Sequence, residues 1–211
     1  MDAVYDLDPQ LVRRIAENEN PPALFSANPR FAESVIRHQF IYGVMLYEGK
    51  KLPRDYAEAL GWFTKAADKG NSDAMHALGM CHLMGHGTAR DSTKASEWFR
   101  KSAELGNPDA QNNLGNCYSN GDGVPADLEQ AAHWWMQAAL QHVPQAQFNT
   151  GCMALQLEDD PIKAYFWWRI VGAKHPKAPE SLRQLIELMP PETLREAERR
   201  YAAAFSSDHG P

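Results

Sequence analysis

One short stretch of the sequence gathers side chains that can bind metal ions: His76, Cys81, His82 and His86. His82 and His86 are four residues apart, the spacing that places two ligands on one face of a helix. The glycines on either side of His86, however, place it in a loop beyond the helix. We therefore expect these side chains to serve packing or solvent contact, and we predict no metal site.

The nucleophile and phosphate-binding patterns of common enzymes are absent from the sequence. No serine is followed three residues later by lysine, and Lys-Thr-Gly, Gly-x-Ser-x-Gly and His-Glu-x-x-His do not occur. The Gly121-Asp122-Gly123 segment is glycine-rich, but no strand precedes it, as a nucleotide-binding loop would require. We predict no catalytic residue, no cofactor and no enzymatic activity; an enzyme of unrecognised type is the alternative that stays open.

Composition places the 211-residue chain among ordinary globular proteins, with 44% hydrophobic and 23% charged residues. The formal charge of −6 argues against nucleic-acid binding, which needs a surplus of Lys and Arg to neutralise phosphates. The sequence also lacks the basic start and apolar run of a secretory signal, and no window approaches the roughly 20 apolar residues of a membrane span. We therefore expect no membrane insertion and a cytoplasmic location.

Three cysteines, an odd number, do not form a disulfide framework. Cys81, Cys117 and Cys152 all fall in predicted helices. We interpret them as small buried hydrophobic residues in a reducing compartment.

The elements that must position these side chains follow from an internal repeat. Several residue types recur with a spacing of 36 residues over three or four units. The recurring positions are Gly43, Gly79, Gly115 and Gly151; Trp62, Trp98 and Trp134; Ala59, Ala95 and Ala131; Asp55, Asp91 and Asp127; and Gly49, Gly85 and Gly121.

Each unit has the pattern of two helices. In the second unit Ala74, Leu78 and Cys81 lie on one helix face, and glycines after Met84 end that helix. Asp91 is placed to cap the second helix. Gly79 lowers helix propensity, so its recurrence predicts that a neighbouring helix passes close to it.

The segment from Ala110 to Asp127, with Gly-x-Gly-Val at residues 121–124, resembles the Sel1-like repeat, a relative of the tetratricopeptide repeat. The Asp-x-x-x-Ala-x-x-Trp-Trp segment from Asp127 to Trp135 is similar to that family too. The resemblance implies an all-α fold, a right-handed α-solenoid of antiparallel helix pairs with capping helices, and a bacterial setting.

The repeats divide the chain into an array with a cap at each end. The first unit has Lys51 in place of the second loop glycine, and the fourth has a shortened loop, as terminal repeats often do. Residues 1–37 are predicted to be an N-terminal cap, with a helix from Pro9 to about Asn18, a loop at Asn20-Pro21-Pro22 and a first repeat helix opened by Asn28-Pro29. The repeats are assigned to 38–73, 74–109, 110–145 and 146–175, and residues 176–211 to C-terminal capping helices and a frayed tail.

We interpret the six tryptophans as residues that pack between repeats, because all six lie in second helices at recurring positions. The binding surface is then expected on the first helices, which line the concave face of related arrays. Polar amides beside Met and aromatic side chains suit a peptide, since amides pair with backbone groups and apolar side chains anchor it. The predicted contact residues are Phe40, Val44, His76, Met80, Met84, Asn112, Asn113, Asn116, Asn120, Phe148, Asn149 and Gln156, with Glu48 and Gln111 on the same face.

We therefore predict a non-catalytic protein–protein interaction module, an adaptor or scaffold that binds a protein or peptide on its concave face. A cognate inhibitor, such as an immunity protein against a secreted toxin, is the alternative suggested by the modest size and acidic charge. The oligomeric state is left open by the sequence.

Overall fold

The computed structural model describes residues 8–17 and 29–206, and the regular structure in these ranges is entirely helical. The predicted loop at residues 20–22, the predicted cap Asn28 and the tail at 207–211 lie outside the described residues. The helices are α1 Pro9–Ala16, α2 Pro29–Glu48, α3 Tyr56–Ala67, α4 Ser72–Met84, α5 Ser92–Glu104, α6 Pro108–Asn120, α7 Leu128–Leu140, α8 Pro144–Gln156, α9 Pro161–Val171, α10 Ala178–Leu188 and α11 Pro191–Ser206, with a 3₁₀ turn at Gly172–Lys174.

The second helix of each repeat begins at an aspartate, as predicted. The side-chain oxygen of Asp55 accepts a hydrogen bond from the backbone N–H of Glu58 at 2.9 Å, and Asp91 accepts one from Lys94 at 3.0 Å. Asp127 and Asp160 cap α7 and α9 in the same way. Each bond satisfies one of the N–H groups that a helix leaves unpaired at its start.

Glycine and asparagine set the boundaries of the first helices. Gly85 and Gly121 end α4 and α6 in the left-handed conformation, so the predicted glycine stops are confirmed. Asn71 and Asn107 cap the starts of the same two helices.

The chain divides into two compact units, residues 1–126 and 127–211. In the first unit, α2 packs on α3 and α4 on α5, so consecutive helices form antiparallel pairs. Helix α1 packs on α2, and Ala16 at its end is fully buried. The buried Gln39 donates a hydrogen bond to the carbonyl oxygen of Ala16 at 3.1 Å, which fastens α1 to the first repeat.

In the second unit, α8 packs between α7 and α9, and α10 and α11 close over α9. The core around α9 consists of apolar side chains from three helices: Ala164, Tyr165 and Trp168 from α9, Leu185 from α10, and Ala197 from α11. The segment after the repeats is therefore part of the hydrophobic core of this unit.

Packing accounts for most of the tryptophan side chains, as predicted. Trp62, Trp135, Trp167 and Trp168 are buried, whereas Trp98 and Trp134 are half-buried. Cys81 and Cys117 are buried thiols, and burial raises the pKa of each to about 11. Neither thiol is therefore ionised near neutral pH.

Candidate functional site

A groove of about 460 Å³ opens in the first unit between α2 and α4. Its volume lies in the range of small-ligand and peptide pockets, roughly 300–1,000 Å³. We call it the first-helix groove. Five residues expected on the binding face line it: Phe40, Val44 and Glu48 from α2, and His76 and Met80 from α4. The remaining lining residues are Ile41, Tyr47, Phe63, Asp73, Ala77 and Asp109.

The floor of the groove is aromatic and held in place by packing. The ring of Phe63 lies 5.9 Å from that of Phe40 and 6.1 Å from that of Tyr47, measured between ring centroids. The Tyr47 hydroxyl is hydrogen-bonded to Nδ1 of His86 at 2.8 Å, which fixes the tyrosine ring. Burial raises the pKa of Tyr47, so its hydroxyl stays protonated. These contacts hold the aromatic rings of the groove floor in place.

His76 stands at one end of the groove in its neutral form. The side-chain amide of Asn113 donates a hydrogen bond to Nε2 of His76 at 2.9 Å, so the proton is assigned to Nδ1. Burial lowers the pKa of His76, although the charges of Asp109 and Asp73 oppose that shift. The amide nitrogen of Asn113 also lies 3.6 Å from the Met80 sulfur, so Asn113 borders the groove on the side of α6.

The other predicted residues of the first unit do not line the groove. Met84 lies one turn beyond Met80, with 54% of its surface exposed. The Asn120 amide donates to the Asp122 carboxylate at 3.2 Å, and Asn116 is half-buried. Asn112 is half-buried as well, and its Oδ1 atom is buried without a hydrogen-bond partner among the described residues.

In the second unit, the first helix of the fourth repeat, α8, is covered where we predicted a contact surface. The ring of Phe148 stacks on His175, with centroids 4.0 Å apart, and His175 comes from the segment after the repeats. Asn149 accepts a hydrogen bond from Gln145, and Gln156 is exposed at the end of α8. The structure therefore brings predicted contact residues together around the first-helix groove of the first unit, whereas Phe148 of the second unit is covered.

Gln111 is a correction to the predicted surface. We expected it on the binding face, but its side chain is buried and donates to the carbonyl oxygen of Ala103 at the end of α5, at 3.2 Å. Gln147 makes the same bond to Ala139, one repeat later, and Gln39 makes it to Ala16. The signal was present in the sequence, since glutamine recurs at this repeat position in three of four units and Met75 fills the other.

Replacing Gln111 with methionine is expected to lower the free energy of unfolding by only about 1 kcal/mol, which is the net contribution of one buried hydrogen bond to stability. Met75 shows that this position accepts the side chain, and the Ala103 carbonyl keeps a hydrogen bond from the N–H of Gly106 at 2.9 Å. Urea unfolding measures the change. The exposed Gln130→Met variant is the control and should stay within about 0.5 kcal/mol of the parent protein. Equal stability of the two variants would show that the buried bond contributes nothing net.

Two of the four side chains that suggested metal binding, His76 and His86, contact separate partners. His76 bonds to Asn113, whereas His86 bonds to Tyr47 and stacks on Tyr56 at 4.4 Å. Burial lowers the pKa of the half-buried His82 and raises that of Cys81. In residues 8–17 and 29–206, no group of three or more His, Cys, Asp or Glu side chains is placed to hold a metal ion. The helices of these ranges are also too short or too polar to span a membrane.

Comparisons with known proteins identify the repeats. The family model of the Sel1 repeat matches residues 39–71, 72–107, 108–143 and 144–170. The second match contains α4 and α5, and the fourth contains α8 and most of α9. Comparison with curated proteins gives no significant match.

Two solved structures are similar to the chain. A Sel1 repeat protein from Oxalobacter formigenes is 24% identical, with a TM-score of 0.68, over 93% of this chain and 88% of that one. The protein c5321, a protective antigen of uropathogenic Escherichia coli with an SLR fold, is 26% identical with a TM-score of 0.65 over 80% of this chain. The match spans about two fifths (41%) of the c5321 chain. These similarities support the all-α, helix-pair fold.

A third solved structure is less similar to the chain. The immunity protein Pa5087 from Pseudomonas aeruginosa is 17% identical over 91% of this chain and 85% of that one, with a TM-score of 0.37. A superposition of that quality does not support a shared function.

Proposed function

The chain belongs to the Sel1 repeat family, and we propose that it is a non-catalytic interaction module that binds a segment of a partner protein in the first-helix groove. The observation that carries the proposal is the coincidence of Phe40, Val44, His76 and Met80, expected on the binding face, around one open groove. Folds of this family commonly serve protein interaction, and helical arrays use the side chains of successive repeats to line such surfaces.

The chemistry of the groove suits recognition of a peptide. Phe40, Val44 and Met80 offer apolar contacts, and the unbranched thioether of methionine adapts to side chains of different shape. Asp73 and Asp109 offer hydrogen-bond acceptors at one end. A segment with one apolar anchor and a polar neighbour can use both, as in other groove-binding complexes.

The lining residues also favour binding over catalysis. Within residues 8–17 and 29–206, no serine, cysteine or lysine side chain lines the groove to act as a nucleophile. His76 is engaged by Asn113, and the Tyr47 hydroxyl is engaged by His86. A general base next to a nucleophile, which acyl or phosphoryl transfer needs, is not assembled there.

The proposal is tested by affinity capture from a native lysate with the purified protein and two variants. Met80→Arg places a long charged side chain in the groove and is expected to reduce recovery of the partner at least about tenfold. Met136→Arg is the matched control, because Met136 is a half-buried methionine that lines a separate pocket of the second unit. Quantitative mass spectrometry of the captured proteins measures the recovery.

A partner lost with Met80→Arg and retained with Met136→Arg supports the groove as the binding site. Equal recovery with both variants would place the binding site elsewhere. Thermal melting of each variant checks that the fold is intact at the temperature of capture.

A further inference from the structure

We infer that the occupant of the first-helix groove is a peptide segment with a Lys or Arg next to a large apolar residue, the cation being held by Asp73 and Asp109. This inference rests on the proposed function and adds the chemical class of the partner. It is carried by the distribution of charge around the groove.

The two carboxylates lie at the same end of the groove. Asp73 and Asp109 occupy the second position of α4 and α6, one repeat apart, and both line the groove. The charges of both act on the ring of His76, so His76 stands near each of them. Both aspartates are exposed, and two negative charges beside a partly apolar cleft produce a local negative potential at its solvent-accessible edge.

Neither carboxylate is neutralised within the part of the chain that the structure describes. Asp73 accepts one hydrogen bond, from the Asn107 amide at 2.8 Å, and neither Asp73 nor Asp109 forms an ion pair there. Arg37 occupies the equivalent position on α2 but does not line the groove. These two acids are therefore available to a cation brought by a ligand.

The groove supplies no cation of its own. Among the described residues, no Lys or Arg lines it, and His76 is held neutral by burial and by the hydrogen bond from Asn113. The third carboxylate, Glu48, lies 3.2 Å from the Lys50 ammonium group, although the same oxygen, Oε2, has no hydrogen-bond partner among the described residues. The lining carboxylates without an ion pair in that part of the chain are thus Asp73 and Asp109, and Phe40 and Val44 offer apolar side chains to the same groove.

Helix electrostatics alone would also favour an acid in the first turn of a helix, since carboxylates stabilise that end. This stabilisation of a helix start does not depend on whether the acidic residue lines a groove. Glu129 and Glu192 hold the equivalent acidic positions in the first turns of α7 and α11 and lie far along the chain from the groove. They provide a matched control, because their replacement removes first-turn charges without changing the first-helix groove.

The test selects peptides from a displayed random library on the purified protein at low salt. We expect the selected peptides to carry Lys or Arg within about two positions of Leu, Met, Phe or Trp, in keeping with groove-type recognition. The Asp73→Asn plus Asp109→Asn variant should bind a selected peptide at least about tenfold more weakly, since two charge-assisted contacts are lost. The Glu129→Gln plus Glu192→Gln variant should stay within about twofold.

A second measurement does not depend on the variants folding. Replacing the basic residue of the selected peptide with norleucine should weaken its binding to the unmodified protein by the same factor of about ten. Raising the salt concentration should weaken binding of the original peptide, because salt screens the charged contact. Binding of the norleucine peptide, which lacks that contact, should be nearly unaffected.

The failures of the two proposals are distinguishable. Selected peptides that are lost with Met80→Arg but are acidic, or show no basic residue, would overturn the cation inference and leave the groove function standing. Peptides that bind Met80→Arg normally, or a library that yields none, would overturn both. A norleucine peptide that binds as well as its parent would also refute the role of Asp73 and Asp109.

Discussion

Replacement of Gly123 by alanine is expected to lower the free energy of unfolding by about 3 kcal/mol, from two costs that add. Gly123 has a φ angle of +74°, which disfavours residues with a side chain. A Cβ atom there would also meet the carbonyl oxygen of Ser92 and lie 2.7 Å from the backbone nitrogen of Thr93. Because these are backbone atoms at the start of α5, they can move only by displacing the helix.

Gly106→Ala is the control that separates the two costs. Gly106 has a φ angle of +87°, but a Cβ atom there would meet nothing within 4 Å. Its replacement should therefore cost only about 1 kcal/mol, the conformational part. Chemical denaturation of both variants gives the difference. Equal losses would mean that the close approach of the loop to α5 adds no energy.

The same contact explains a departure from the repeat pattern. Gly87, one repeat before Gly123, would place a Cβ atom against the carbonyl of Tyr56 and 3.0 Å from the nitrogen of Ala57 at the start of α3. The glycine is thus required by the second helix of the preceding repeat. The first repeat has Lys51 at this position, and α1, the described helix before it, lies outside the matched repeats.

The helix pairs could be predicted because their signals are local. An aspartate cap such as Asp91 bonds an N–H group three residues away, and glycine stops such as Gly85 act within the same turn. Hydrophobic spacing within one helix gave the buried face of α4, including Leu78. Each of these features depends on a few neighbouring residues and is visible in a single sequence.

The groove could be predicted only in part, because its boundaries depend on distant partners. Asn113 was expected to face a ligand, but it bonds to His76, 37 residues earlier, and so closes one side of the groove. Phe148 occupies the same repeat position as Phe40, yet His175 covers its ring from a segment outside the repeats. Helix periodicity places a residue on a face but does not show what lies over that face.

The acidic end of the groove was not predicted, again because its surroundings depend on residues that are distant in the sequence. Asp73 and Asp109 follow the helix starts, where acidic residues are common, and so carried no separate signal in the sequence. Their proposed role rests on the lack of a basic residue among the described residues that line the groove. That lack depends on the packing of α2, α4 and α6, which the repeat pattern does not specify.

Replacement of Gly79 by alanine is expected to destabilise the protein by about 2 kcal/mol, in spite of the better helix propensity of alanine. An added Cβ atom would lie 2.5 Å from Cδ1 and Cε1 of Phe99, whose side chain is fully buried. A Cβ atom added at Gly43 would likewise lie 2.7 Å from Cδ1 and Cε1 of Phe63. The prediction that a helix passes close to this recurring glycine is confirmed.

Gly61→Ala is the matched control, because Gly61 also lies inside a helix but a Cβ atom there meets nothing within 4 Å. It should stabilise the protein by about 0.5–1 kcal/mol, so the same substitution has opposite signs at the two positions. Thermal and urea unfolding of both variants measure the difference. Stabilisation by both would mean that the Phe99 ring shifts without cost.

The close packing at Gly79 also bears on the groove. Gly43 and Gly79 directly precede Val44 and Met80, so the contacts that hold α2 against α3 and α4 against α5 also set the positions of two groove-lining side chains. Gly79→Ala should therefore weaken binding of the partner that is lost with Met80→Arg, measured well below the melting temperature. Gly61→Ala should leave that binding unchanged. Unchanged binding by Gly79→Ala would show that the groove tolerates displacement of α4.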